Sequence, residues 1–259
     1  MNQGGIDWQM IKLGKYEIFH VHTFRCKHAG DERDEEYIKK AIELGAEAIA
    51  FTDHGPFPGN IFGNRMDIEE LPEYIHTLNS LRDKYKDQIK VYVGLEIEYF
   101  KGFDCMANGE SHYKQLKAME GLDFLMLGQH MYETDIGSYS FSLPKEDIKR
   151  LEAPGMGQAI VEGIATGYFD VVAHPDRTFR RRKVWDEELA QIGRSIIEQA
   201  IRYGVILEQN ESSRRHKGQY WTEFWDMAKE ISDSRPEGKE LKVIRGLDAH
   251  ETGELIVLE

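Results

Sequence analysis

The chain has few cysteines, no long apolar run and no excess of positive charge. Its two cysteines, Cys26 and Cys105, cannot build a disulfide scaffold, and nothing in their placement pairs them; that usage fits a reduced, cytoplasmic setting. No apolar stretch approaches the roughly 20 residues a membrane span requires, and the opening MNQGGIDWQMIKLGK lacks the apolar core of a secretion signal. The formal charge of −13 argues against bulk binding to nucleic acid or to an anionic membrane. It leaves room for a small anionic substrate held by a local basic patch. There is no low-complexity tract and no internal repeat that would indicate a solenoid or a linker-joined array.

What the chain does have is histidine in telling places. The segment YEIFHVHTFRCKHAG reads as a short strand running into His20, His22 and His28. Residues i and i+2 of a strand face the same way, so His20 and His22 project together, as two nitrogen ligands of one ion would. The same event recurs down the chain. After a loose lead-in over residues 1–15, an acidic-start, glycine-stop helix over 34–45 follows the first strand. AEAIAFTDHG then ends in Asp53 and His54, and helical periodicity covers 68–87. IKVYVGLEIEYF carries Glu96 and Glu98; a weaker helix spans 111–120; DFLMLGQHMY ends at His130. A loop over 133–145 precedes a helix over 154–166, and DVVAHPD ends at His174 and Asp176. A helix over 186–203 leads to GVILEQN, ending at Asn210, and helical WTEFWDMAKEIS leads to LKVIRGLDAH, ending at Asp248 and His250.

These are seven β–α alternations with continuous apolar strands, the pattern of parallel strands buried on both faces. An open sheet would spread the polar strand ends along a line, whereas a barrel gathers them on one face. The expectation is a single α/β domain over 1–259, core about 16–250, built as a distorted (β/α)7 TIM-like barrel. Its candidate metal ligands are His20, His22, His28, His54, Glu96, His130, His174, Asp248 and His250. Nine donors exceed the need of one ion and suit two or three. Imidazole with carboxylate suits Zn2+, Fe2+ or Mn2+ better than Ca2+ or Mg2+. His76 and His112, on helical stretches, read as surface residues.

The ordered series HVHT, KHAG, TDHG, GLE, GQH, AHPD and LDAH resembles the polymerase and histidinol phosphatase (PHP) superfamily. Within it, FRCKHA, Arg65-Met66 followed by LPEYIHTLNSLRDKY, and Glu208-Gln209-Asn210 resemble the monofunctional histidinol-phosphate phosphatases. The resemblance implies a trinuclear site in which His20, His22, Glu96 and Asp248 hold one ion. A bridging Glu96 with His130 and His174 would hold a second, and His28, His54 and His250 a third. Asp53 and Asp176 would support catalysis by orienting ligands or water, with Glu98 beside the ligands or the substrate. Leu247 stands where this branch tends to have serine, and ESSRR is more basic than the branch pattern. Two basic loops, RTFRRRK and RRHK, supply candidate phosphate-binding residues Arg177, Arg180, Arg214 and Arg215; arginine's fork suits phosphate oxygens. The expected activity is hydrolysis of a small phosphorylated metabolite, L-histidinol phosphate foremost, in histidine biosynthesis. The competing readings are a phosphatase of another small phosphate ester or nucleotide, and a metal-dependent amidohydrolase.

Overall fold

The computed structural model describes residues 17–257; the lead-in expected over 1–15 lies outside them. The elements run in alternation. Strand β1 (Glu17–Val21) is followed by α1 (Asp34–Glu43), β2 (Ala48–Phe51), α2 (Leu71–Tyr85) and β3 (Lys90–Ile97). Next come α3 (Lys101–Asp104), α4 (His112–Lys117), β4 (Phe124–Leu127) and a hairpin of β5 (Glu133–Asp135) and β6 (Ser138–Tyr139). The chain continues with α5 (Lys145–Thr166), β7 (Val171–Val172), α6 (Glu187–Tyr203) and β8 (Ile206–Asn210), then α7 (Glu211–Arg215), α8 (Thr222–Asp233) and β9 (Val243–Gly246).

Hydrogen-bonded neighbours follow the order β1-β2-β3-β4-β7-β8-β9. Just past β9, Ala249 bridges in parallel to Val21 of β1, with Leu247 N–H donating to Phe19 O at 2.9 Å and His22 N–H donating to Ala249 O at 2.8 Å. First and last strands are therefore paired, and the connectivity is that of a (β/α)7 barrel. The apolar strand sequences explain the inside: AIAF of β2 and FLML of β4 are buried at every position, as strands covered on both faces must be.

Local chemistry sets the helix ends. The Glu36 carboxylate accepts the Arg33 N–H at the start of α1, and Asp186 accepts the Leu189 N–H to start α6. Gly167 and Gly204 end α5 and α6 with φ of 73° and 71°, a conformation that costs glycine nothing. Helix α5 begins at Lys145, nine residues before the expected start, and carries Pro154 inside. Pro154 removes one helical donor, yet the helix runs through it. Gly155 lies against the Tyr132 ring and Gly157 against Ile192, each so close that a Cβ would meet atoms at 2.5 and 2.3 Å. The stretch expected as loop over 133–145 holds the β5–β6 hairpin.

The described residues form two compact units. The first runs through Ile97 and adds Gln115–Met126 and the chain from Arg245; the second comprises Glu98–Lys114 and Leu127–Ile244. Among the described residues no helix is long and apolar enough to cross a membrane.

Candidate metal centre

In the first unit, seven of the predicted ligands meet. The meeting begins with a distortion of β1. Its register against β2 shifts between Ile18 and Val21, and His20 takes φ 68°. Regular alternation is therefore interrupted at His20, as happens at bulges, and the two rings still converge. Their Nε2 atoms end 2.9 Å apart, and both rings are buried. Glu96 Oε2 lies 3.5 Å from each of them and 3.0 Å from His54 Nδ1. Asp248 Oδ1 lies 3.6 Å from His20 Nε2 and 3.4 Å from His22 Nε2. A parallel bridge sets His54 beside Glu96. The pairing of residues 247–249 with β1 brings Asp248 and His250 to the same place.

A second pair sits nearer to solvent. His28 Nε2 and His250 Nε2 face each other at 3.0 Å. Each ring turns its other nitrogen to a backbone carbonyl: His28 Nδ1 to Cys26 O at 2.7 Å and His250 Nδ1 to Asp248 O at 3.0 Å. A carbonyl only accepts, so both Nδ1 atoms carry hydrogen. In neutral rings both Nε2 lone pairs then point at one another, an arrangement that calls for a cation between them. Two nitrogens about 2.05 Å from one ion would lie about 2.9–3.4 Å apart, depending on the bond angle. The residues present therefore fit divalent metal ions.

The surroundings keep the ligands ready. Burial, then the neighbouring His54 imidazole, holds His22 well below its usual 6.5, so it stays neutral as a ligand must. Asp53 is fully buried and accepts from Thr23 N–H at 2.8 Å and from the Thr23 hydroxyl at 3.1 Å. Burial pushes its carboxyl up to about 6 against those hydrogen bonds. The sequence reading gave Cys26 no role, yet it is fully buried in this cluster: Sγ lies 3.2 Å from His22 Nδ1, 3.1 Å from Asp53 Oδ1 and 3.1 Å from His54 N. Its spacing, four residues after a ligand histidine, was the one available signal.

The second unit holds His130 and His174, with ring centroids 5.1 Å apart. Buried Glu98 meets His130 Nδ1 at 3.1 Å, which leaves Nε2 turned to other partners. His174, at φ 31°, has its backbone N–H held by Glu208 Oε2 at 3.0 Å. Asp176 Oδ2 accepts from Trp221 N–H at 2.9 Å and Trp225 Nε1–H at 3.1 Å, and burial pushes this carboxyl up to about 7. His20, His174 and Asp248 all have left-handed backbones; such strain in non-glycine residues gathers at functional sites.

The basic loops resolve into different environments. Arg177 donates to Asn210 Oδ1 and Ser213 Oγ. Arg180 is turned to Glu152 at 2.9 Å and to the His130 carbonyl at 3.0 Å. Arg214 stacks over Tyr220 and donates to its hydroxyl at 2.7 Å. Arg215, at the end of α7, is exposed. His76 is exposed as expected, but His112 is buried at 3% exposure: it opens α4 with its ring 6.3 Å from Phe103 and 6.0 Å from Tyr113, so helical placement did not put it at the surface.

Fold, donor set and family match together support a metal-dependent phosphatase. The PHP domain pattern matches residues 19–212, and the chain belongs to the PHP domain family. It is 31% identical over 166 residues to a Deinococcus radiodurans protein described as "Probable histidinol-phosphatase", an alignment covering 61% of this chain and 59% of that one. It is 24% identical over 263 residues to the histidinol-phosphatase of Bacillus subtilis, covering 91% and 94%. Among solved structures, the histidinol phosphate phosphatase of Lactococcus lactis, complexed with zinc, L-histidinol and phosphate, superposes with a TM-score of 0.67 at 20% identity, over 92% of this chain and 87% of that one. HisK of Listeria monocytogenes gives a TM-score of 0.72 at 18% identity, over 92% and 97%. These superpositions support the barrel fold.

Proposed function

We propose that this enzyme hydrolyses L-histidinol phosphate to L-histidinol and phosphate, using two or three divalent ions, zinc foremost, in the cytoplasm. The observation that carries the reading is two pairs of facing imidazole nitrogens, at 2.9 Å and 3.0 Å, together with a carboxylate shared by three histidines. The names of the relatives support the substrate.

His20, His22, Glu96 and Asp248 would hold one ion, and His28, His54 and His250 another; His130 and His174 are the further ligands in this proposal. Bound ions supply a Lewis acid for the phosphate oxygens and a water of lowered pKa. The chain's own residues do the rest. The buried ring of His22 keeps its Nε2 lone pair available by staying neutral. The Glu96 carboxylate, beside His20, His22 and His54, offsets positive charge there. Asp53 fixes the loop after β1 through Thr23. Arg215, with Arg177, Arg180 and Arg214 as further candidates, would meet the phosphate dianion.

The test is phosphate release from L-histidinol phosphate beside a panel of small phosphomonoesters, on protein of measured metal content. Strong preference for histidinol phosphate supports the proposal. Flat or differently directed metal-dependent activity overturns the substrate. Metal-replete protein that cleaves no ester but opens a cyclic amide overturns the reaction.

A further inference from the structure

Cys26 touches three of the histidines proposed as ligands, through two different atoms. Its sulfur lies 3.2 Å from His22 Nδ1 and 3.1 Å from the His54 backbone nitrogen. Its carbonyl accepts from His28 Nδ1 at 2.7 Å. The sulfur also lies 3.1 Å from Asp53 Oδ1. We infer that Cys26 is a positioning residue that holds the metal-ligating histidines of the first unit in orientation and fixes the tautomer of His22. This rests on the metal-site reading above.

The hydrogen bookkeeping has one consistent solution. The His54 backbone N–H can only donate, so sulfur accepts from it. Ionised Asp53 can only accept, and it already receives the Thr23 N–H and hydroxyl; the thiol hydrogen goes there. The sulfur's remaining contact, His22 Nδ1, must then be a donor to sulfur. Its hydrogen on Nδ1 leaves the Nε2 lone pair facing His20 Nε2 and Asp248, where an ion would bind. Metal-bound histidines commonly donate their other N–H to a carboxylate, a carbonyl or a water. Here a buried thiol takes that place. A carboxylate at position 26 would stand against Asp53, and two buried carboxylates that close oppose one another.

The geometry around the cysteine is also built to hold. A single tight turn over Phe24–Cys26 folds the sulfur back under His22, with Cys26 N–H donating to Thr23 O at 3.0 Å. The turn is anchored by buried Arg25, which meets Asp34 at 2.6 Å and Glu73 at 3.1 Å.

The experiment compares full-length wild type, Cys26→Ala and Cys26→Ser by equilibrium metal titration with zinc and with cobalt(II), and by histidine 15N NMR of the metal-free protein. Expected are His22 protonated on Nδ1 in wild type, a roughly 10–100-fold loss of metal affinity in Cys26→Ala, and partial recovery in Cys26→Ser, whose hydroxyl keeps a donor and an acceptor at shorter reach. Wild-type affinity in Cys26→Ala overturns the inference and leaves the proposed function standing. So does His22 protonated on Nε2 in wild type, a measurement that needs no variant to fold. A thiolate-to-cobalt charge-transfer band in wild type, absent from Cys26→Ala, overturns it by making Cys26 a ligand. Wild type that binds neither metal overturns the proposed function and this inference together.

Discussion

The first unit contains the same device twice, once in the dry interior and once near water. His20 and His22 are wholly buried, and their Nε2 atoms share Glu96 and Asp248. His28 and His250 present the same face-to-face nitrogens, with His28 exposed and His250 about a quarter exposed. The buried pair is oriented by strand pairing, a bulge and a thiol. The exposed pair is oriented by backbone carbonyls. The difference teaches that equal ligand geometry does not imply equal exchange: burial removes competing water and protons, while exposure leaves an open path for both.

The sharpest break is substitution inside the buried set. His20→Ala or Glu96→Ala should abolish tight metal binding at that pair and lower kcat by about a thousand-fold or more, about 4 kcal/mol of barrier. Full activity at normal metal content would remove Glu96 and His20 from the ligand set. Substitution in the exposed pair should do less. His28→Ala or His250→Ala should cost one ion, as counted by elemental analysis, and lower activity by about 10–100-fold. A loss of all bound metal would show that the two pairs do not bind independently.

Chelation sharpens the comparison without any mutation. A dilute chelator should strip one ion quickly and the remainder slowly, and His28→Ala should delete the fast phase alone. A single phase for all ions would contradict the difference in exposure.

The smallest effect is on pH. His22 is held neutral well below 6.5, so in the metal-free protein the unfolded chain takes up a proton that the folded one refuses. Stability from this residue is present above about 6.5 and is lost as the pH falls below it. His22→Asn should flatten the decline in Tm between pH 7 and pH 5; an unchanged slope would mean that the ring is charged in the folded state.

Much of this arrangement was legible in the sequence because it is periodic. Apolar strands capped by His20, Glu96 or His174 repeat at helix-separated intervals, and that rhythm yields the β–α alternation and the polar strand ends. The parts that escaped are those that depend on conformation. The irregularity at His20 interrupts the two-residue alternation, although His20 and His22 still meet. Pro154 sits inside α5 because Gly155 and Gly157 let that helix pack closely. His112 is buried because aromatic neighbours from a short helix cover it. Cys26 carries no sign in a linear pattern that its sulfur will meet residues 22, 53 and 54 at once.

The pairing of Leu247–Ala249 with β1 has a consequence for how the enzyme is made. The earliest described strand supplies His20 and His22, and the partners that complete their environment, Asp248 and His250, arrive more than two hundred residues later. On the ribosome a nascent chain can present the two histidines and Glu96 long before it can present Asp248. The complete environment of that pair must therefore await emergence of the last strand, however early the two histidines appear.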